Sequence, residues 1–549
     1  MDGLYDKLIV LNSVYNNSLS EKSTFTDPSI TTQLFPHQAT LVNGMHQYRD
    51  RMIRGFVVEN RAINGKIGII GDPAGTGKTL SVLSYLASHV NNTRMTSELS
   101  YNSTKYFFSH ELNKLSNNSL NLIIVPHSLF NQWKQEISKH TTMKYIPIET
   151  KRHLRGDINI NNNFVLTTNT CYKFVQDYAN QNGIEWNNVF IDEASSIYFN
   201  LSDPKLKFQF LWFITNNWLP LIFKHPSVSK SSLYYIKDRV RIHPDLEKWL
   251  TDCMSMHYDG VLVSSFLKEY LSFFHENRGY IVLRNLSDAI NAINLPPIIN
   301  EIIHCKPHTT LNSLSHLSKN EPKVTSSTVI SLFQGLDVEF KEIESYTSHQ
   351  SEKWHDLINR KYNESECVIC LEACEYPTIV NCCYNIYCGK CLLNNMLLTH
   401  KCPTCRENLL IDNICCLMPL KESKNKLNIC LDILNNNKTG KFLIYSSFSN
   451  IYYKLFEEID KLGLKAERID NGLFSLLKTI KNLNKEKTNV IFISNIELIR
   501  GLSLESISHL IFYHDQPVSE LKQILIHAGQ RIGRQKPLQI IHLNSEIQV

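Results

Sequence analysis

Residues 67–86 read IGIIGDPAGTGKTLSVLSYL, and this stretch decides the fold. The apolar residues 67–70 predict a short buried strand, and the apolar residues that follow Thr79 at helical spacing predict a helix. Between the two lies a loop that contains three glycines. A strand, a glycine-rich loop and a helix in this order indicate an α/β fold.

The loop has the residue types that bind a nucleoside triphosphate. Its backbone N–H groups can point inward, a lysine can reach the β- and γ-phosphates, and a hydroxyl can bind Mg²⁺. The candidate residues are Gly75, Thr76, Gly77, Lys78 and Thr79. Asp72 stands where the pattern GxxxxGK[ST] has its first glycine, so the strict pattern is not met. The alternative interpretation is a glycine turn before a surface helix.

Length and composition describe a globular protein with several domains. The 549 residues predict three or four folded units at roughly 100 to 200 residues each. The 43% hydrophobic and 20% charged residues exclude wholesale disorder, and a net charge of +5 is too small to indicate nucleic-acid binding alone. The start of the chain lacks a secretory signal, and no apolar run approaches the roughly 18 residues that span a bilayer. We therefore expect an intracellular protein, nuclear or cytoplasmic, with no membrane partner.

Other apolar runs have the length of buried strands and are bounded by polar or turn residues. In the first 220 residues or so they are 122–125, 164–166 and 189–191. After residue 420, predicted strands at 442–445, 490–493, 509–513 and 539–543 alternate with predicted helices at 424–437, 450–464 and 474–483. Residues 219–295 and 310–365 have helical patterns. The chain thus contains two α/β units.

The strand predicted at 189–191 is followed by two adjacent carboxylates, Asp192 and Glu193. Asp192 could hold Mg²⁺, largely through water, and Glu193 could polarise an attacking water molecule. An Asp-Glu pair after a strand is also common as a helix start. Together with the glycine-rich loop, however, the pair indicates ATP hydrolysis, with Lys78, Asp192 and Glu193 as catalytic candidates.

These residues resemble the Swi/Snf-type DNA translocases of helicase superfamily two, whose phosphate loop commonly reads DExGxGKT, similar to residues 72–79. Other segments resemble further motifs of that family in the family's order. The first is 34–38, in which Gln38 takes the position of the family's adenine-reading glutamine. The others are 122–126 and 133–137 (motif Ia), 164–168 (motif Ib), 283–284 with 295–297 (the end of the first lobe), 442–448 (the first strand of the second lobe), 501–505 (motif V) and 530–534 (motif VI).

The resemblance implies an ATPase with two RecA-like lobes, with ATP and Mg²⁺ as cofactors. It also implies duplex DNA as a partner, bound through phosphates without sequence specificity. Motif VI normally has two arginines three residues apart. Here Ala528 takes the first position and Arg531 the second, so the resemblance makes Arg531 the arginine that acts on the γ-phosphate, unless Arg534 serves as its partner.

Three further positions depart from the family pattern. Ser195 replaces the histidine of the Asp-Glu box. Of motif III only Thr215 is retained, because Asn216 and Asn217 follow it. These departures, together with Ala528, leave room for slow hydrolysis or for a degenerate ATPase.

Nine of the fifteen cysteines lie between residues 367 and 405, which indicates metal binding rather than disulfides. Three CxxC pairs among them are suited to Zn²⁺. Their spacing resembles a RING finger, which implies two zinc ions. The first site would use Cys367, Cys370, Cys388 and Cys391, and the second would use Cys402 and Cys405 with two ligands from residues 382–385.

The second zinc site has two possible ligand sets. Asn385 stands in place of the usual histidine, so either Cys382 and Cys383 both bind, or Cys383 binds with a poor fourth partner. Thiolate is the better zinc ligand, and we predict the first set. RING fingers of this kind commonly recruit ubiquitin-conjugating enzymes, and Ile369 and Arg406 match the residues used. A purely structural zinc module is the alternative.

The predicted architecture is α/β, with two RecA-like lobes and, between them, a helical insertion and a small zinc-binding RING domain. The predicted boundaries are 1–30 for an N-terminal extension, 31–218 for the ATP-binding lobe, 219–310 for the insertion and the end of that lobe, 311–364 for a helical linker, 365–408 for the RING and 420–549 for the second lobe.

We expect an ATP-dependent duplex-DNA translocase. The alternative is a RING ubiquitin ligase or scaffold with a degenerate, DNA-binding ATPase core. Compact relatives in large DNA viruses add a viral replication site or the virion to the expected locations.

Overall fold

The fold comes from a computed structural model. The residues that it describes are 2–19, 23–58, 61–63, 65–88, 120–155, 163–200, 203–204, 206–223, 276–286, 293, 295–305, 366–374, 377–380, 382–383, 385–399, 401–409, 414–416, 426–446, 451–469, 473–514 and 519–544. Most of the predicted helical segment 219–295 and all of 310–365 lie outside these residues.

The chain forms two compact units, each assembled from more than one segment. Unit 1 comprises Met1–Pro297, Ile496–Glu505 and Pro517–Lys536. Unit 2 comprises Ile298–Asn495, Ser506–Gln516 and Pro537–Val549. Each unit contains a parallel sheet with helices, which confirms the predicted α/β class. The six domain boundaries stay predictions.

Unit 1 is built on a parallel sheet of seven strands, preceded by an antiparallel pair, β1 (Phe56–Val58) and β2 (Arg61–Ile63). The seven strands are β3 (Ile67–Ile70), β4 (Asn121–Val125), β5 (Tyr145–Ile148), β6 (Phe164–Thr168), β7 (Trp186–Asp192), β8 (Phe208–Ile214) and β9 (Val282–Leu283). Their order in the sheet is β5-β6-β4-β7-β8-β3-β9. All residues of β3, β4, β6 and β8 are buried, as expected for strands covered on both faces.

The helices of unit 1 are α1 (Asp2–Asn16), α2 (Pro36–Arg54), α3 (Lys78–Ala87), α4 (Phe130–His140), α5 (Tyr172–Gln181), α6 (Leu219–Ile222) and, near the end of the chain, α11 (Ser519–Gly529). Helix α4 shows why they pack as they do. Its residues Phe130, Trp133 and Ile137 recur every three or four positions and are buried, so one face of the helix belongs to the core.

Unit 2 has a parallel sheet of six strands and a separate cysteine-rich segment. The elements of the first are β10 (Ile298–His304), α8 (Lys426–Asn436), β14 (Phe442–Tyr445), α9 (Ile451–Lys461), β15 (Ala466–Ile469), α10 (Leu473–Asn484), β16 (Val490–Ile493), β17 (His509–Phe512) and β18 (Leu538–Asn544). The strand order is β10-β18-β17-β14-β16-β15. The cysteine-rich segment forms an antiparallel sheet of β11 (Pro377–Val380), β12 (Ile386–Cys388) and β13 (Ile414–Cys416), with helix α7 (Gly389–Thr399).

The predicted strands are present, but some strands were not predicted. Strand β10 pairs in parallel with β18, although its residues were assigned to the end of the first lobe. It lies at the edge of the sheet, and its exposed Asn300 and Glu301 interrupt the apolar pattern of a buried strand. The aromatic-rich strand β8 also went unpredicted, although it lies between β7 and β3 and is buried throughout.

Candidate nucleotide-binding site and cysteine clusters

The glycine-rich loop joins the C-terminal end of β3 to α3. Gly75 and Gly77 have φ values of 81° and 80°, a left-handed conformation that glycine adopts without strain. The ammonium group of Lys78 donates to the carbonyl oxygens of Asp72 and Pro73, each at 2.8 Å. Burial lowers the pKa of Lys78, and nearby carboxylates oppose that effect. The lysine therefore holds the loop closed on itself in this structure.

Asp72 explains the departure from the strict loop pattern. Its carboxylate is fully buried and accepts hydrogen bonds from the backbone N–H and the side-chain amide of Asn285, both at 2.7 Å. The Asn285 amide also donates to the carbonyl oxygen of His37, at 3.1 Å. Asp72 thus ties the loop to the segment after β9 and to helix α2. Sequence reasoning missed Asn285, which lies 213 residues away along the chain.

Gln38 lies against the same loop. Its amide oxygen accepts the backbone N–H of Phe35 at 2.9 Å, and its amide nitrogen donates to the carbonyl oxygen of Gly77 at 3.3 Å. A Cβ at Gly77 would lie 2.2 Å from that nitrogen, so the close approach requires glycine. Gln38 is 1% exposed. Its adenine-reading role stays a prediction.

Asp192 and Glu193 lie at the C-terminal end of β7, at the same edge of the sheet as the loop. The Asp192 carboxylate accepts the indole N–H of Trp133 at 2.7 Å and the backbone N–H of Glu193 at 2.9 Å. Burial raises the pKa of Asp192, and these hydrogen bonds work against that shift. Oxygen donors from Asp192 and from the hydroxyl of Thr79 suit a hard cation such as Mg²⁺.

Glu193 has an unusual backbone conformation and a raised pKa. Its φ of 48° is unusual for a residue with a side chain, and such backbone strain is common at functional sites. Burial and the charge of Asp192 raise the pKa of Glu193 to about 7, while Arg500, Lys78 and Arg531 act in the opposite direction. Its Oε2 atom is buried and has no hydrogen-bond partner among the described residues.

The segment around Arg531 packs directly on the glycine-rich loop. The backbone N–H of Ile532 donates to the carbonyl oxygen of Gly75 at 3.2 Å. The Arg531 guanidinium donates to the carbonyl oxygen of Gly501 at 3.0 Å, and burial lowers the pKa of Arg531 against the effect of Glu193 and other carboxylates. Charges of Lys78, Asp192, Glu193 and Arg531 thus interact within unit 1. Their individual catalytic roles stay predictions.

Arg534 has a different environment. Its guanidinium donates to the carbonyl oxygens of Glu505 and Gly529, at 3.1 and 3.2 Å, and the residue is 6% exposed. Arg534 therefore links the C-terminal end of α11 to the segment Ile496–Glu505. Arg500 was missed by sequence reasoning, although it is 8% exposed and its charge acts on Glu193. A single arginine within the apolar run 498–502 was the available signal.

Ser195 of the Asp-Glu box contacts the segment that resembles motif III. The hydroxyl groups of Ser195 and Thr215 are 3.0 Å apart and hydrogen-bonded, and the backbone N–H of Asn217 donates to Thr215 at 3.0 Å. The Asp-Glu box is therefore still linked to the segment after β8.

Ala528, the other departure from the family pattern, is 3% exposed, and its carbonyl oxygen accepts the backbone N–H of Leu504 at 2.8 Å.

The cysteines form two groups, and within each group the four sulfur atoms lie within 4.8 Å of one another. The groups are Cys367, Cys370, Cys388 and Cys391, and Cys382, Cys383, Cys402 and Cys405. Four thiols at this spacing fit tetrahedral Zn²⁺. The second group has the ligand set with both Cys382 and Cys383, and the amide of Asn385 donates to the sulfur of Cys383 at 3.4 Å.

Two CxxC pairs, Cys367–Cys370 and Cys402–Cys405, lie in tight turns of the backbone. Leu371 and Arg406, each one residue after a CxxC pair, have φ values of 62° and 60° and donate their backbone N–H groups to the carbonyl oxygens of Cys367 and Cys402. Although burial opposes it, hydrogen bonds from the backbone N–H groups of Cys370 and Cys388 lower the pKa of Cys367 to about 7. Burial raises the pKa of Cys391 in the same group to about 12, so zinc binding would release protons from the group.

Three comparisons with known proteins found similarities to this chain. Residues 37–217 match the family model of the SNF2-related domain. The chain is 22% identical, over 628 aligned residues, to a protein of Acanthamoeba polyphaga mimivirus that is named as a helicase, and the match covers 94% of this chain and 71% of that protein. A structural match covers 96% of this chain and 90% of the SWI2/SNF2 ATPase core of Sulfolobus solfataricus in complex with double-stranded DNA, with 15% identity and a TM-score of 0.30. Among the described residues, no helix is long and apolar enough to cross a membrane.

Proposed function

We propose, from the premise that residues 37–217 form an SNF2-related domain, that this chain is a DNA-dependent ATPase that moves along duplex DNA. The observation that carries the proposal is the electrostatic cluster of Lys78, Asp192, Glu193 and Arg531 around the glycine-rich loop. A lysine, two carboxylates and an arginine are the groups that position and neutralise a transferred phosphoryl group.

We assign each group of the cluster a task in the proposed hydrolysis. Lys78 would exchange its bonds to the loop carbonyls for bonds to the β- and γ-phosphates of ATP. Asp192 and Thr79 would hold the Mg²⁺, which offsets the negative charge of the phosphates. Glu193 has a pKa of about 7, close to neutral pH, and would orient the attacking water. Arg531 would neutralise charge that develops on the γ-phosphate.

The test is ATP turnover by the purified chain with and without duplex DNA. We expect DNA to stimulate turnover, Lys78→Ala to abolish it, and Glu193→Gln to retain ATP binding while slowing hydrolysis. Lys144→Ala is the control, because Lys144 is an exposed lysine of unit 1 outside the site. If the unchanged chain binds ATP but turns it over no faster than Glu193→Gln, the degenerate-core alternative is correct.

For the cysteine-rich segment we propose that it binds two zinc ions and that it recruits a ubiquitin-conjugating enzyme. We also propose that the protein acts inside the cell. The exposure of apolar residues in the first turn supports recruitment: Val368, Ile369 and Leu371 are 54%, 42% and 75% exposed. Arg406 is exposed as well. Ile369→Ala should slow ubiquitin discharge from a charged conjugating enzyme, whereas Leu398→Ala, an exposed leucine on α7, should not. Equal discharge by both variants would indicate a purely structural zinc module.

A further inference from the structure

Two consecutive residues of α4 contact different parts of the proposed ATP site. Trp133 is 1% exposed, and its indole N–H donates to Oδ2 of Asp192 at 2.7 Å. The other carboxylate oxygen, Oδ1, accepts the backbone N–H of Glu193 at 2.9 Å. One donor on each oxygen fixes the rotation of the Asp192 carboxylate.

Gln132 contacts the segment that precedes residue 506. Its amide nitrogen donates to the carbonyl oxygen of Gly501 at 3.4 Å, and its amide oxygen accepts the backbone N–H of Ser503 at 3.1 Å. The same Gly501 carbonyl accepts the Arg531 guanidinium at 3.0 Å. A Cβ at Gly501 would lie 2.9 Å from Oε1 of Glu193, so this segment also packs on the second carboxylate.

We propose that helix α4 is a positioning element of the ATP site, in which Trp133 orients the Asp192 carboxylate and Gln132 orients the Gly501 segment that anchors Arg531. The inference rests on the proposed function. Successive helical residues point about 100° apart, so one rigid helix can reach both contacts. Because the two bonds start from one backbone, a small rotation of α4 changes the Mg²⁺ carboxylate and the arginine together.

Trp133→Phe tests the first contact, because it keeps an aromatic ring and removes the N–H. Trp186→Phe is the matched control: Trp186 is fully buried on β7, and its indole N–H donates to Gln176 at 3.0 Å. Both variants should lose similar thermal stability. Partners of metal-binding groups typically contribute about 10- to 100-fold in metal affinity or activity. We expect a loss of this size for Trp133→Phe and not for Trp186→Phe. It should be found in kcat and in the affinity for Mn²⁺, which electron paramagnetic resonance measures in the presence of ADP.

Gln132→Met tests the second contact, and it lies at a half-buried helix position where folding should survive. Gln181→Met, at the exposed end of α5, is its control. Gln132→Met should lower the DNA-stimulated kcat about tenfold and leave the KM for ATP unchanged, because a misplaced Arg531 affects the transition state more than substrate binding. Gln132→Asn, which keeps the amide on a shorter side chain, should recover part of the rate.

The results separate the inference from the function on which it rests. Full turnover and Mn²⁺ affinity in Trp133→Phe, together with full turnover in Gln132→Met, would overturn the inference and leave the ATPase intact. An unchanged chain that binds nucleotide without hydrolysing it would overturn the ATPase, and the Mn²⁺ affinities of Trp133→Phe and Trp186→Phe would then decide the role of Trp133. A chain that binds no nucleotide overturns both.

Discussion

Glu193 couples the stability of the protein to pH. Burial and the charge of Asp192 raise its folded pKa to about 7, whereas an unfolded glutamate titrates near 4.3. Between those values the folded state binds the extra proton, so stability falls as pH rises. Glu193→Gln removes this loss, so its gain in stability over the unchanged chain should grow from about pH 4.3 to about pH 7 and stay level above that, reaching roughly 4 kcal/mol. Chemical denaturation without nucleotide or Mg²⁺ measures it, and a constant difference across this range would contradict the raised pKa.

Arg531 and Arg534 are three residues apart, yet their contacts predict different effects. Arg531 lies beside the glycine-rich loop and interacts with Glu193, so Arg531→Ala should cut turnover by orders of magnitude with little change in ATP affinity. Arg534 donates to the backbone carbonyls of Glu505 and Gly529, so Arg534→Ala should mainly lower Tm. Steady-state kinetics and thermal scans on both variants check this. If Arg534→Ala alone loses turnover, the predicted motif register is wrong by three residues.

Asp72 and Asn285 form a pair whose energy can be measured. Asn285→Ala keeps the backbone donor to Oδ1 but removes the side-chain donor to Oδ2 of a fully buried carboxylate, which should cost about 1 to 3 kcal/mol. Asp72→Gly introduces the glycine of the strict loop pattern, and it leaves the Asn285 amide with the carbonyl oxygen of His37 as its remaining acceptor. In a double-mutant cycle by chemical denaturation, the combined loss should be smaller than the sum. Additive losses would show that the two side chains do not depend on each other. Asn182→Ala, which removes an exposed amide contact, is the control.

At the scale of elements, the packing of residues 530–532 on the loop depends on Gly75. A Cβ there would lie 2.9 Å from the carbonyl oxygen of Gln530, in addition to the strain of φ 81°. Gly183 has a φ of 64°, and a Cβ at that position would have nothing within 4 Å. Gly183→Ala should therefore cost only backbone strain, about 1 kcal/mol, whereas Gly75→Ala should cost more and also lose turnover. Equal losses of Tm with turnover retained would show that the contact at Gly75 is unimportant.

Elements whose signal is contiguous in the chain could be predicted from the sequence. The loop before α3 follows an apolar strand, and Asp192 and Glu193 lie at the end of another, so pattern and chemistry lie within a few residues. Strand β10 could not be predicted in this way, because an edge strand with exposed polar residues lacks the buried pattern. The roles of Asn285 and Arg500 depend on contacts with residues far away in the chain, which no local pattern contains.

For the whole molecule, the proposed ATP site is a product of three separate chain segments. Lys78 and Glu193 come from the first segment of unit 1, Gly501 from the second and Arg531 from the third. The chain between the first and second segments contains both cysteine clusters and most of unit 2. The site is therefore complete only when the C-terminal part of the chain has folded. Motifs that are far apart in the sequence lie close together in unit 1.

Zinc content tests the cysteine-rich segment within the intact chain. Two groups of four thiols predict about two zinc ions per chain by elemental analysis. Cys383→Ser should lower the content to about one, because the second group loses a ligand. Asn385→Ala should keep two, because the Asn385 amide donates to the sulfur of Cys383 and does not replace it as a ligand. Loss of zinc in Asn385→Ala but not in Cys383→Ser would show that the asparagine, and not the second thiolate, completes the site.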